Sequence, residues 1–148
     1  MSDSSQGLTE FFTLDHRRCD SSWVEVEAAA EAGNADAVKE SWRTFQSSLL
    51  KHLRMEEEVL FPAFEQATGM TGGGPTFVMR SEHDQMRGLL EQMNATANGG
   101  DHDELVDLGD TLLMLIQQHN QKEEHMLYPM AERTLAADWA KLRERLIE

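Results

Sequence analysis

The sequence predicts an all-α protein, an up-down-up-down four-helix bundle with a pseudo-twofold internal repeat and a short C-terminal tail helix. Three observations lead there. Turn-forming clusters divide the 148 residues into four long stretches, each stretch spaces its apolar residues at helical intervals, and a shift of 67 residues lays the second half over the first. No run of alternating β-branched residues argues for a strand.

The breaks fall at Gly33-Asn34, at 68–75 and at 98–101. They set helices over roughly 14–32, 35–67, 75–97 and 102–133. Pro75 follows Gly72-Gly73-Gly74 as a proline does in a first helical turn, and Asp101 is placed to cap the fourth helix. A last stretch, 138–147, is amphipathic through Trp139, Leu142 and Leu146. The glycine run lacks the Lys-Ser/Thr ending of a phosphate loop and reads as a flexible connection. The expected organisation is one domain over 1–148: a disordered start at 1–7, helix hairpins at 8–67 and 75–133, and a tail at 134–148.

A chain of this length with 40% hydrophobic residues can bury roughly 70% of its unfolded surface without staples. Its single cysteine excludes an intramolecular disulfide, and residues 1–7 carry no apolar signal, so a reducing cytoplasm is the expected location. The longest strongly apolar stretch, 112–116, falls far short of the roughly 20 residues a membrane helix needs. A formal charge of −14 repels phosphate backbones and anionic lipid, which argues against nucleic acid and membranes as partners. No protein partner is legible.

The buried stripe of each helix is not wholly apolar. The first reads Phe12, His16, Cys19, Trp23, Val26, Ala30. The second reads Val38, Trp42, Phe45, Leu49, His52, Glu56, Val59, Ala63. The third gives Met79, His83, Met86, Leu90, Met93. The fourth gives Leu105, Leu108, Leu112, Leu115, His119, Glu123, Met126, Met130. A carboxylate inside a bundle costs several kcal/mol unless something compensates it, so two glutamates beside four histidines call for a cation.

The repeat makes these six residues a symmetric set. It carries His16 onto His83, His52 onto His119, Glu56 onto Glu123, and Leu60-Phe61-Pro62 onto Leu127-Tyr128-Pro129. Two hairpins related by a pseudo-twofold axis bring all six to one level of the bundle. Imidazole with carboxylate suits iron, manganese, zinc or cobalt, and six ligands are too many for one tetrahedral zinc. Two metals fit better: imidazoles divided two and two, carboxylates bridging, and room for a solvent-derived bridge and an open position. The order His-x-x-x-Glu also differs from the Glu-x-x-His of ferritin-like bundles.

Asp-His16, His52-x-x-x-Glu56-Glu-x-x-Leu-Phe-Pro, Glu-His83-Asp and His119-x-x-x-Glu123-Glu-x-x-Leu-Tyr-Pro together resemble the hemerythrin-like family, the HHE cation-binding domain, over about 13–130. The resemblance implies two iron ions with a solvent-derived bridge, held by His16, His52, Glu56, His83, His119 and Glu123. It also implies dioxygen, nitric oxide or peroxide as small-molecule partners. Oxygen carriers of the family have His-x-x-x-His on the third helix, where this chain has Arg87, and an aspartate five residues after the fourth-helix histidine, where it has Glu124. The expected function is therefore storage or sensing of a diatomic ligand, with no catalytic residue assigned. The alternatives are a redox enzyme acting on peroxide or dioxygen, and iron handling or iron-centre repair. Family repair proteins usually carry an extra N-terminal cysteine segment, and seven residues precede Leu8 here.

The remaining candidates are peripheral. Cys19 reads as a core thiol that can tune or protect the site, and Met79, Met86 and Met93 read as core filler. Asp20 is a candidate acceptor behind an imidazole, and Glu124 and Arg87 are candidates for an additional ligand or an outer partner of the ligands. Glu57, Glu58, His102 and His125 are expected to face solvent. Pro62 and Pro129 are expected to bend or end the buried faces beyond the metal level.

Overall fold

The computed structural model describes residues 6–147. Helix α1 (Leu8–Glu31) is followed by α2 (Ala35–Met55), a π turn (Glu56–Leu60) and α3 (Phe61–Thr68). The second half repeats the order: α4 (Pro75–Gly99), α5 (His102–Lys122), a π turn (Glu123–Leu127) and α6 (Tyr128–Thr134), with α7 (Trp139–Leu146) closing the chain. The result is an all-helical bundle with a short C-terminal helix. No helix among the described residues is long and apolar enough to cross a membrane.

Local chemistry accounts for the boundaries. Asn34 caps α2 by accepting the Ala37 N–H at 3.1 Å, and Asp101 caps α5 by accepting the Glu104 N–H at 3.1 Å. Gly69 and Gly100 end α3 and α4 at φ 73° and 81°, a conformation that favours glycine. Helix α1 starts at Leu8 rather than at 14, because Leu8 and Phe12 continue the stripe of His16 back to Gly7. Residues 1–5 of the expected disordered start lie outside the described residues, whereas Gln6 accepts the Trp139 indole N–H at 2.8 Å.

The two long helices expected over 35–67 and 102–133 each contain a π turn at the same offset from their histidine. Phe61 N–H reaches back five residues to Glu56 O, and Tyr128 N–H reaches Glu123 O. Proline at 62 and 129 explains the position. It lacks an N–H and crowds the carbonyl four residues earlier, and a wider turn just before it relieves the clash. The carbonyl freed before Pro62, on Glu58, accepts a weak hydrogen bond from Arg145 at 3.5 Å. The prolines therefore re-register the helices rather than ending their buried faces.

That extra residue changes what faces inward. Met126, expected in the core, is 57% exposed, while Leu127 is 1% exposed and Tyr128 is fully buried. Met130 is only half-buried, and Ala63 yields its place to Phe64. In α5, Leu108 and Leu115 are half-buried while Gly109 and Ile116 turn inward. Gly109 is needed there because a Cβ would lie 2.0 Å from the Trp23 ring.

Two apolar cores result. One joins Trp23, Trp42, Phe45, Met86, Leu90, Met93 and Leu112, and the other joins Leu8, Phe12, Phe61, Phe64, Leu127, Tyr128 and the α7 residues Leu142 and Leu146. Burying a leucine or phenylalanine contributes about 1.5–3 kcal/mol. These layers offset the cost of the charged layer between them.

Candidate metal centre

Four histidines and two glutamates form that charged layer, and all six are buried. His16 comes from α1, His52 from the end of α2, His83 from α4 and His119 from the end of α5. Glu56 and Glu123 open the two π turns, one turn after His52 and His119. The side chains form two adjacent clusters: His16, His52, Glu56 and Glu123 in one, and Glu56, His83, His119 and Glu123 in the other. In each cluster the donor atoms lie within 4.8 Å of one another.

Each glutamate turns one oxygen toward each cluster. Glu56 Oε2 is 3.4 Å from His52 Nε2 and its Oε1 is 3.0 Å from His83 Nε2. Glu123 Oε1 is 2.9 Å from His16 Nε2 and its Oε2 is 3.1 Å from His119 Nε2. This is a bridging arrangement for two cations.

A second ring of carboxylates orients the imidazoles. His16 Nδ1 donates to Glu124 at 2.7 Å, His52 Nδ1 to Asp15 at 2.7 Å, His83 Nδ1 to Glu57 at 2.7 Å and His119 Nδ1 to Glu82 at 2.8 Å. With Nδ1–H committed to a carboxylate, neutral imidazole presents its Nε2 lone pair to the centre, as metal-ligating histidines do. The pairs obey the repeat, since Asp15 corresponds to Glu82 and Glu57 to Glu124. Outside them, Arg87 clamps Glu57 at 2.6 and 2.8 Å, Lys122 pairs with Glu82, and Arg18 pairs with Asp15.

The donor set passes a direct test for a metal. Glu56 Oε1, His83 Nε2, His119 Nε2 and Glu123 Oε2 are buried atoms that face one another at 3.0 and 3.1 Å without hydrogen-bond geometry, and together they are the donors of the second cluster. Orphaned buried polar atoms cost about 1–3 kcal/mol each, so four converging on one point call for a cation. In the first cluster the Tyr128 hydroxyl stands among the same kinds of donors. It lies 2.8 Å from Glu123 Oε1, 3.0 Å from His16 Nε2 and 3.5 Å from His52 Nε2, and it donates to Glu56 Oε2.

Without metal, protons take the cation's place. Burial works against a charged His52, but the Glu56 carboxylate outweighs it and raises His52 to about 9. Burial likewise opposes charge on His119, which Glu123 raises to about 9. Burial alone would raise Glu56, yet the charge and hydrogen bonds of His52 hold it well below the usual carboxylate range. Burial, then the charges of Glu123 and Glu56, push the Tyr128 phenol well above its usual value. Burial also pushes up the Cys19 thiol, which keeps it a neutral thiol beside the site rather than a thiolate.

All six expected ligands converge, and the outer assignments change. Asp15, not Asp20, is the acceptor behind an imidazole. Asp20 is half-buried, with its carboxyl raised by burial and further by the like charge of Glu124. Glu124 takes the outer of its two expected roles, behind His16, and Arg87 stands outside Glu57. Glu57, expected in solvent, is bound to His83 and Arg87, while Glu58 and His125 are exposed as expected and His102 is half-exposed. Asp15 and Glu82 immediately precede His16 and His83, so the repeat marked them in both halves. Tyr128 had no such signal at α-helical spacing.

A small void borders the centre. Its volume is about 10 Å³, and its wall combines His16, His52 and His119 with Cys19, Leu49, Leu53, Met86, Ile116 and Asn120.

Comparison with known proteins agrees with this geometry. The family model described as the hemerythrin HHE cation binding domain matches residues 7–131. The iron-sulfur cluster repair protein YtfE of Cronobacter sakazakii is 46% identical over 75 residues, covering 51% of this chain and 34% of that protein. YtfE of Escherichia coli (strain K12 / DH10B) is 44% identical over 50 residues, covering 34% of this chain and 23% of that protein. The chain thus spans about a third or less of the curated relatives it matches, and no solved structure matches it. By its match over residues 7–131 and by its paired His/Glu clusters, the chain belongs to the hemerythrin HHE cation-binding domain family.

Proposed function

We propose that this protein holds two iron ions and binds a small diatomic ligand, dioxygen or nitric oxide, for storage or sensing. His16 and His52 would hold one ion and His83 and His119 the other, with Glu56 and Glu123 shared between them and a solvent-derived bridge completing the pair. When bound, a ferrous pair supplies electrons and an open coordination position. The chain supplies the rest. Asp15, Glu57, Glu82 and Glu124 fix the imidazoles, and the two apolar cores keep bulk water from the charged layer.

The observation that carries the reading is the void of about 10 Å³ against His16, His52 and His119. Roughly 10–15 Å³ is the least space that holds one water, so the void has no room for an organic substrate. Its remaining wall is mostly apolar, which favours a neutral diatomic over an ion.

The test is anaerobic reconstitution with ferrous iron, followed by absorption spectra on adding dioxygen, nitric oxide or peroxide. Two irons per chain and a reversible band support ligand binding. Irreversible oxidation with turnover supports a redox enzyme instead, and uptake of one zinc with no iron sinks the di-iron reading. The similarity to YtfE, an iron-sulfur cluster repair protein, favours a second reading, iron-centre repair. Transfer of iron from the loaded protein to an iron-depleted iron-sulfur protein, with no reversible ligand band, would select it.

A further inference from the structure

The two halves of the site are related by the repeat, so each difference between them marks a place where the two metal positions diverge. Phe61 and Tyr128 are such a pair. Both follow a π turn, both are fully buried, and their rings lie against equivalent histidines: Phe61 is 5.5 Å from His83 at 31°, Tyr128 5.5 Å from His16 at 30°. The rings occupy matching places, and the difference is one oxygen.

That oxygen is surrounded by donors of the first cluster. Its neighbours are Glu123 Oε1, His16 Nε2, His52 Nε2 and Glu56 Oε2, at 2.8, 3.0 and 3.5 Å for the first three. Bonds from a metal to nitrogen or oxygen run about 2.0–2.2 Å, which puts adjacent corners of an octahedron about 3.0 Å apart. The hydroxyl therefore stands where a fifth corner would stand, beside the other four. Phe61 offers nothing at the matching corner of the second cluster.

We propose that Tyr128 is a ligand of the ion held by His16 and His52, so that the two metal positions are inequivalent, with five protein donors at one and four at the other. The inference rests on the two-metal reading above. The O–H bond breaks as the oxygen–metal bond forms and the proton leaves to solvent, the exchange that accompanies metal binding at any protonated ligand. Bound as phenolate, Tyr128 adds one negative charge at its own ion, which favours the ferric state there. Its neighbour, without a phenolate, keeps the ferrous state longer.

The chain has one tyrosine, so any tyrosinate signal must come from Tyr128. The test loads wild type, Tyr128→Phe and the exchange variant Tyr128→Phe/Phe61→Tyr with iron, oxidises them, and measures iron per chain, visible absorption and resonance Raman spectra with ring-deuterated tyrosine. Wild type is expected to carry two irons and a phenolate-to-ferric band whose Raman modes shift on deuteration. Tyr128→Phe is expected to lose the band and to bind one iron at least about 10-fold more weakly, while the exchange variant regains the band from the other ion. Two irons in wild type with no deuterium-sensitive band, or a band that survives Tyr128→Phe, overturns this inference alone. Fewer than two irons in wild type overturns the two-metal reading and this inference with it.

Discussion

The Tyr128 hydroxyl lies 2.8 Å from Glu123 Oε1, five residues earlier in the same strand of helix. On an α-helix, residues five apart point about 140° away from each other. The π turn at Glu123–Leu127 removes that divergence. It lets Glu123 face the centre and Tyr128 face the same centre from below, and it turns Met126 outward. The equivalent turn does the same for Glu56 and Phe61. Function at this level depends on one additional residue per helix.

Metal should stabilise the fold through Glu56. A ligand at 100 times its dissociation constant adds about 2.7 kcal/mol to a protein that binds it only when folded. Wild type is expected to gain stability of that order in excess ferrous iron, held anaerobic, over the chelator-treated protein. Glu56→Gln keeps the side-chain volume but removes charge from a carboxylate that turns one oxygen to each cluster, so it should abolish the gain and lower the metal content below two. Chemical denaturation with and without metal measures both. A wild-type midpoint that ignores metal contradicts the prediction.

Removing one outer carboxylate should loosen metal without unfolding the bundle. Asp15→Asn and Glu57→Gln keep size and weaken the acceptor behind His52 and His83. The expected loss is about 10–100-fold in metal affinity with unchanged helical content, read by chelator competition and circular dichroism. Asp20→Asn, at a residue with no hydrogen bond to an imidazole, should change affinity far less.

The ligands were legible because His-x-x-x-Glu occupies a stripe that otherwise reads apolar, and because the repeat shows it twice. The outer carboxylates were harder to see. Asp15 neighbours His16, so on its own helix it points off the stripe, yet it reaches His52 on the adjacent helix. Side-chain pairing across helices depends on their crossing, which a single-helix reading does not contain. Tyr128 was hidden for another reason: a π turn changes the hydrogen-bond register, and its one mark in the sequence is the proline that follows. The boundaries at Asn34, Pro75 and Asp101 were legible because capping is local chemistry.

Two glycine-to-alanine substitutions should act in opposite directions. Alanine gains up to about 1 kcal/mol over glycine inside a helix. At Gly88, exposed on α4 with nothing near an added Cβ, that gain should appear as stabilisation. At Gly109 the Cβ would lie 2.0 Å from Trp23 Cζ2, so α1 and α5 must move apart. A net loss of about 1–3 kcal/mol is expected there. Denaturant midpoints at constant slope check both, and a stabilising Gly109→Ala would show that the helices approach less closely.

Protons and metal should compete for the centre, with opposite signs across one pH window. His52 and His119 stand at about 9 in the metal-free fold, against about 6.5 in an unfolded chain. A histidine raised in the folded state stabilises fully below about 6.5, and that contribution disappears as pH rises through about 9. Glu56, lowered in the folded state, stabilises above about 4.3 and loses its contribution as acid protonates it. The metal-free protein should therefore be most stable between about pH 4.5 and 6.5 and weaken toward pH 9. A metal ion must displace the two imidazolium protons, so its affinity should rise across the same 6.5–9 window with protons released to buffer. Melting of the metal-free protein against pH, and metal titrations in buffers of different ionisation heat, read the two trends. A metal-free bundle that gains stability from pH 6.5 to 9 would mean that the imidazoles are neutral there, and that the two carboxylates are compensated by something other than His52 and His119.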